Sequence, residues 1–268
     1  MGNPSKDGPW ESIFSRYGIH GHDFDKAPFP LSAQQIKDAT KDFPKTGQRE
    51  VRILCYQAER KDRPEVFTDN GLFLLPVRNG HYVIVRGEGY IDISNITSPP
   101  VEFSPQTDFE LQTPSVGDSE MQHLDYAHAS GMLEDFVGEG RLYLTIRGRK
   151  YTPGFEFRVG GNRITTKGVQ TEVDAGYEGE DVVVLVEGKN TKMQDTIIRQ
   201  LYYPFRKWGI QTTKRVIPMF FEKRGDEYMF WMYEFTDPDD YNGIRLVRSR
   251  RYRLSDGTKE SVPVTSST

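Results

Sequence analysis

Cysteine is almost absent from this chain. Cys55 stands alone in the 268 residues, which excludes an intramolecular disulfide framework and a cysteine zinc site. Its setting, Val51-Arg-Ile-Leu-Cys-Tyr56, reads as a strand in which Cys55 is a buried residue rather than a nucleophile. Histidine is scarce too. His20, His22, His81, His123 and His128 form no His-Glu-x-x-His pattern and no helix-spaced pair with a carboxylate in a known zinc arrangement, and His20-Gly-His22 reads as a polar loop. Any metal chemistry therefore has to use carboxylates. Long apolar runs are missing as well: the longest aliphatic stretch, residues 182–186, falls far short of the roughly 20 residues of a membrane helix. Residues 1–9 are polar and lack the apolar core of a secretory signal, so the expectation is a cytosolic protein without membrane association. Finally, there is no excess of positive charge. A formal net charge of −4 argues against a protein that coats nucleic acid nonspecifically. It does not exclude a nuclease, because acidic catalytic groups and local basic surfaces coexist within one total.

What is present is globular. Hydrophobic residues at 36% and aromatics at 12% suffice for a buried core, and the length fits one large domain or two modest ones. The first 118 residues read as an N-terminal α+β region with a recognition or dimerisation role. Residues 10–17 suggest a short helix stopped by Gly18, and Ser32-Ala-Gln-Gln35 is a capping-box pattern opening a second helix to about Thr40. Strands are predicted over 51–56, 71–77 and 81–86, the last two flanking the hairpin signal Asn79-Gly80. Helices followed by strands suit a winged-helix-like DNA reader, a topology shared by many folds without that role. Residues 94–118, rich in Ser, Thr, Pro, Asp and Gln, form the candidate boundary.

Beyond the boundary, Ser119-Glu-Met-Gln122 caps a helix of about 18 residues with Met121, Leu124, His128, Met132, Leu133 and Phe136 along one stripe before Gly138. Strands are expected over 142–146, 155–159, 169–177 and 181–187. Thr191-Lys-Met-Gln194 then caps a helix with Met193, Ile197, Gln200, Leu201 and Pro204 on one face, and strands 215–221 and 228–235 follow across a polar turn containing Arg224-Gly-Asp226. The Ser/Thr-rich end from Thr258 reads as a frayed tail.

The informative segment lies between the third and fourth of these strands. Glu172 and Asp174 stand two apart on one strand, and Glu187 and Lys189 two apart at the end of the next, so alternation puts each pair on one face. If the strands are neighbours, Asp174 and Glu187 meet with Lys189 alongside. Hard divalent ions take oxygen ligands, and magnesium needs only one or two carboxylates plus substrate oxygens and water. Asp174, Glu187 and the Gly188 carbonyl would hold such an ion, while Lys189 would orient or help deprotonate water and offset transition-state charge. A Glu-x-Lys tripeptide alone is weak, and Glu59-Arg-Lys61 supplies an internal control. That tripeptide runs into a loop, whereas the one at 187 follows five aliphatics and an upstream acid, and a carboxylate ending a buried strand is costly without a cation. A structural salt bridge from Glu187 to an arginine is the competing account.

These residues resemble the PD-(D/E)xK nuclease superfamily. Asp174 matches its first acidic position, Glu187 the second and Lys189 the lysine, over about residues 119–236. Gln170-Thr-Glu-Val-Asp174, Val186-Glu-Gly-Lys-Asn190 and Arg199-Gln-Leu-Tyr-Tyr-Pro204 look most like type II restriction endonucleases. The resemblance implies an α/β, restriction-endonuclease-like core with a central mixed β-sheet flanked by helices: a helix, three strands, a helix and a strand. It implies magnesium dependence, hydrolysis of double-stranded DNA to 5′-phosphate and 3′-hydroxyl ends, a homodimer with one active site per strand, a cognate DNA methyltransferase and a prokaryotic cytoplasmic setting. Val173 replaces the motif's proline, which supplies no chemistry. Glu172 is an accessory metal ligand or a solvent-facing strand residue; Gln200 contacts the active site or DNA, or makes a structural bond; Glu134 and Glu139 are candidates for the superfamily's additional helical acid.

For DNA contact, Arg245, Arg248, Arg250, Arg251 and Arg253 cluster with Leu246 and Tyr252 between them, Arg147-Gly-Arg-Lys150 forms a second basic segment, and Arg206, Lys207, Lys214 and Arg215 flank the helix after the lysine. Tyr126, Tyr143 and Trp208 read as core by default. Two rivals stay open. One is a repair, recombination or methylation-dependent nuclease of the same superfamily. The other is a non-cleaving DNA-binding module, which the joint presence of Asp174, Glu187 and Lys189 argues against.

Overall fold

A computed structural model of the chain describes residues 4–113 and 119–255. The predicted tail from Thr258 and part of the predicted boundary loop lie outside the described residues. No described helix is long and apolar enough to cross a membrane.

Helix α1 (Pro4–Arg16) buries Trp10, Ile13 and Phe14 at helical spacing and stops before Gly18, whose φ of +64° only glycine adopts readily. Strand β1 (Phe29–Ser32) leads into α2 (Ala33–Thr40), where Ser32 and Gln35 form the expected reciprocal capping box. The run 51–54, expected as a strand, is instead helix α3 (Val51–Leu54). Val51 and Leu54 are buried one turn apart, and the Leu54 carbonyl accepts from the Trp10 indole at 3.2 Å. A four-residue apolar run satisfies either period, and the packing against Trp10 chose the helical one. The Cys55 thiol follows directly and is pushed up to about 12 by burial, so it is inert as a nucleophile. After α4 (Glu65–Asp69), strands β2 (Leu72–Arg78) and β3 (His81–Arg86) form the hairpin that Asn79-Gly80 announces, and the small sheet runs β1-β3-β2, all antiparallel.

The next strands, β4 (Tyr90–Asp92) and β5 (Val101–Phe103), correct the expected domain boundary at 118. They pair with strands far along the chain, β11 (Asp195–Ile197) and β14 (Ile244–Leu254), so the second unit begins directly after β3. The expected 18-residue helix is two, α5 (Glu120–Ala129) and α6 (Met132–Val137). They are separated by Gly131 in the left-handed region, φ +82°. Ser119 caps α5 by accepting from the Gln122 amide at 3.1 Å.

The main body is a mixed seven-stranded sheet flanked by helices, in the order β5-β14-β13-β12-β10-β9-β6. Its members are β6 (Tyr143–Tyr151), β9 (Gln170–Glu178), β10 (Val182–Lys189), β12 (Arg215–Arg224) and β13 (Glu227–Phe235), with β5 and β14 at the far edge. Strands β6, β9 and β10 are successively antiparallel, and β10 runs parallel to β12. A separate hairpin, β7 (Phe155–Val159) with β8 (Asn162–Thr166), inserts between β6 and β9. Strand β10 is buried on both faces. Val182, Val184 and Val186 pack with α5 and α6, while Val183 and Leu185 pack with Ile146 and Val173 towards α7 (Arg199–Gln211).

Helix α7 starts later than the Thr191 capping pattern suggests. The Met193 amide donates to the buried Glu222 carboxylate at 2.9 Å and the Ile197 amide to the Ala58 carbonyl at 2.8 Å. With its donors taken by distant partners, the segment forms β11 instead of a first helical turn. Arg224-Gly-Asp226 is turn chemistry, as expected, with Gly225 at φ +53°.

Gly176 lies opposite Leu185 on β10, and a methyl group there would stand 2.7 Å from the Ile146 Cβ. Gly176→Ala is expected to cost about 1–3 kcal/mol through overpacking, read as a lower urea midpoint. An unchanged midpoint would contradict the close approach of β6 to β9.

Candidate functional site

The site forms where β9 and β10 part. Their ladder ends at Val186 opposite Ala175. Beyond that point the Gly188 amide donates to Asp174 Oδ2 at 2.8 Å, so a side chain replaces the missing strand carbonyl. Asp174 is thereby fixed at the mouth of the gap, half-buried. Glu187 follows the five buried aliphatics of β10, and its side chain keeps only 11% exposure. Its Oε1 accepts from Lys189 Nζ at 2.7 Å and from Gln200 Nε2 at 2.8 Å. The Gln200 Oε1 accepts in turn from the Thr196 hydroxyl at 3.0 Å, which orients the amide with its nitrogen towards Glu187. Lys189 Nζ also donates to the Gly188 carbonyl at 2.7 Å. Asp174, Glu187, Gly188, Lys189 and Gln200 are thus brought together, and the pairing of Glu187 is with Lys189 rather than an arginine.

Burial pushes the Glu187 carboxyl up to about 7; Lys189 pulls against that rise and the charge of Asp174 adds to it. Burial alone would lower the Lys189 ammonium, but Glu187 beside it carries it above its ordinary value. The oxygen-only donor set of Asp174, Glu187 and the Gly188 carbonyl fits a hard divalent cation, whose charge would favour the ionised form of a carboxyl that burial disfavours. Among the described residues no group of three or more His, Cys, Asp or Glu side chains stands close enough to hold a metal ion. Two carboxylates match what magnesium takes from a protein.

A third acid approaches from α5. Glu120, in the first turn of that helix, accepts from the Asn190 amide at 3.3 Å, and its Cβ lies 3.8 Å from where a Gly188 Cβ would stand. The superfamily resemblance points to Glu134 or Glu139, at the other end of the helical segment. Glu134 instead stands 3.4 Å from His128, and Glu139 pairs with Arg215. The signal was available in Ser119: an acid directly after an N-cap sits at the helix start, which here points at the end of β10. Glu172 is exposed and pairs with Arg149 at 3.2 Å, so it is a strand residue facing solvent at the rim rather than part of the cluster.

The arginines expected to meet DNA are occupied. Arg245 pairs with Glu234, Arg250 with Asp135 at 3.2 Å, and Arg251 with Glu227 at 3.2 Å and the Ser98 carbonyl at 2.7 Å. Arg253 pairs with Asp226 and Glu227, and Arg248 donates to the Val137 carbonyl over the ring of Phe136. The cause is β14 itself, whose arginines lie beside the acids of β13 and α6. Arg147 pairs with Asp125, Arg206 with Asp239, and Lys214 with Glu178, while Lys207 lies over the Trp208 ring. Lys150 is exposed and has no carboxylate partner among the described residues. Tyr126 is core, Trp208 half-buried and Tyr143 exposed on the edge strand β6.

Two family models match the chain. A domain of unknown function, DUF6996, spans residues 7–84, and a domain of unknown function, DUF6997, spans residues 85–253. The second covers more than half of the chain, which belongs to the DUF6997 family. The junction of the two models coincides with the end of β3, where the structure places the boundary. No curated protein and no solved structure matches.

The raised Glu187 carboxyl carries a sign. With a folded value of about 7 against an ordinary 4.5, the folded state binds more protons between those limits. Stability of the metal-free protein therefore falls as pH rises through that window. In chelator, the urea midpoint is expected to drop between pH 4.5 and 7.5 in the wild type and to drop less in Glu187→Gln. Equal pH dependence in the two proteins would remove Glu187 from the buried setting described.

Proposed function

We propose that this protein is a magnesium-dependent deoxyribonuclease of the PD-(D/E)xK superfamily, acting as a type II restriction endonuclease on double-stranded DNA. The observation that carries the reading is the convergence of Asp174, Glu187 and Lys189 at the opening between β9 and β10, with Glu187 held by both Lys189 and Gln200. The element order supports it: helical α5 and α6, three antiparallel strands β6, β9 and β10, helix α7, then β12 parallel to β10. This is the order the superfamily core requires.

In this reading Asp174 and Glu187, with the Gly188 carbonyl, hold the cation. A bound magnesium ion would supply Lewis acidity at the scissile phosphate and acidify a water molecule. Lys189, fixed by Glu187, keeps a positive charge beside the reacting phosphate and offsets charge developing there. Gln200 keeps the Glu187 carboxylate oriented, and the burial of β10 excludes competing water from one side. Glu120 adds negative charge at the rim. The restriction reading carries with it a homodimer, with one site per strand, and a DNA methyltransferase that protects host DNA in a prokaryotic cytoplasm.

Digestion of methylated and unmethylated plasmid with and without magnesium tests the reading. Discrete magnesium-dependent fragments are the expected result, and their dependence on methylation separates the restriction types. Cleavage confined to branched or single-stranded DNA would transfer the site to a repair nuclease, and silence on all substrates would leave a binding module. Lys189→Ala and Asp174→Asn are each expected to lower cleavage by at least about a hundredfold with the fold intact by circular dichroism. Gln200→Ala, which releases one anchor of Glu187, is expected to cost about 10- to 100-fold in activity or magnesium affinity. Full activity in Lys189→Ala would end the assignment.

A further inference from the structure

The occupied arginines of β14 raise the question of where a polyanion would be held. One run of exposed cations without carboxylate partners among the described residues lies in the N-terminal unit. Lys37, Lys41, Lys45, Arg49 and Arg52 are all exposed, and none has a carboxylate partner among the described residues. Asp38, Asp42 and Glu50 share this stretch, so the cations outnumber the acids on it while the chain as a whole is acidic, at −4.

The surface has a fixed direction. The amides of Leu54 and Cys55 donate to the carbonyls of Glu50 and Val51, a helical turn that buries Val51 and Leu54 and turns Arg52 and Ile53 outward. The exposed Arg49 and Tyr56 flank this turn in sequence. Ile53 is 39% exposed and Tyr56 57%, unusual for large apolar side chains on a turn otherwise anchored in the core. The Tyr56 carbonyl is tied down by Lys6 Nζ, and two residues on, the Ala58 carbonyl accepts from Ile197 of β11. Thr196, the neighbour of Ile197, bonds Gln200, which bonds Glu187. Tyr56 therefore lies two residues from the strand contact that leads through Thr196 and Gln200 to Glu187, and the charges of Lys189 and Glu187 bear on its hydroxyl. Exposed cations thus run from Lys37 on α2 to Arg52 on α3, and the exposed Tyr56 ring follows four residues further on.

We infer that the α2–α3 surface is the DNA-tracking face of the protein, with Arg49 and Arg52 on backbone phosphates and Tyr56 against the nucleotide next to the scissile phosphate. The choice of DNA rests on the nuclease reading above; the location of the surface does not. Arginines without internal partners keep their full charge for phosphates and release counterions on binding. An exposed tyrosine beside them offers a stacking face that tolerates any base.

The test is fluorescence anisotropy of the full chain with a 30-base-pair labelled duplex, in chelator, from 50 to 200 mM salt. Arg49→Ala with Arg52→Ala is expected to weaken binding by about tenfold or more and to reduce the salt slope by about one to two. Arg245→Ala with Arg251→Ala is expected to leave affinity within about twofold, since both arginines are spent on Glu234 and Glu227. Tyr56→Ala is expected to weaken binding with no change in salt slope. Wild-type affinity and slope in the Arg49/Arg52 variant, loss of binding in the Arg245/Arg251 variant, or no duplex binding by the wild type would each overturn the inference. Because chelator removes cleavage from the readout, binding through α3 by a protein that never cuts DNA would refute the nuclease reading and leave this surface standing.

Discussion

The β9–β10 ladder stops at Val186, and the arrangement of every polar group at that end of the sheet follows from it. Up to that residue β10 is hydrogen-bonded to β9 and β12 and buried on both faces. One residue further, the chain must place an acid where no strand partner remains on the β9 side. The Asp174 side chain takes the Gly188 amide, and Glu187 is left with a carboxylate that burial disfavours. Its two donors, Lys189 and Gln200, come from its own strand and from the helix across the gap. A buried charge of this kind persists only where the fold supplies partners. The same end of the sheet gathers the oxygen donors Asp174, Glu187 and the Gly188 carbonyl, a set that fits a hard cation.

The same logic of partnership separates the two basic regions. An arginine-rich strand resembles a nucleic-acid surface when written as a sequence, but a strand in a sheet lies beside whatever its neighbour carries. Strand β13 and helix α6 offer Glu227, Glu234 and Asp135 to β14, and the charge is neutralised within the fold. The exposed cations between Lys37 and Arg52 form no ion pair among the described residues, although Asp38, Asp42 and Glu50 share their stretch. Charge density along the chain is thus a poor guide to field outside it. The decisive quantity is the charge left over after the ion pairs close.

The two units are joined by more than chain continuity. Residues of the segment after α3 bond to β11, with the Arg60 amide on Asp195 at 2.7 Å and the Ala58 carbonyl on Ile197. Strand β11 leads into α7, which carries Gln200. The N-terminal unit therefore braces the helix that orients Glu187, and a change at the seam reaches the site through Thr196 and Gln200.

Local chemistry was readable in the chain wherever short-range rules suffice. The Ser32 capping box, the Asn79-Gly80 hairpin, the end of α1 at Gly18 and the strands β7, β9, β10, β12 and β13 all follow from neighbours a few residues apart. So did the placement of Asp174, Glu187 and Lys189 on adjoining strand ends, because alternation and a short turn leave little freedom. Tertiary structure alone decided the rest. Packing on Trp10 made 51–54 a helix, and Glu222 with Ala58 drew the amides of 193 and 197 away from a helical start. Long-range pairing of β4 and β5 moved the unit boundary, and the approach of α5 to β10, which no local pattern encodes, brought Glu120 rather than Glu134 or Glu139 to the site. Which arginines are ion-paired was likewise beyond local pattern, since pairing depends on side chains that only the sheet and the helices against it bring together.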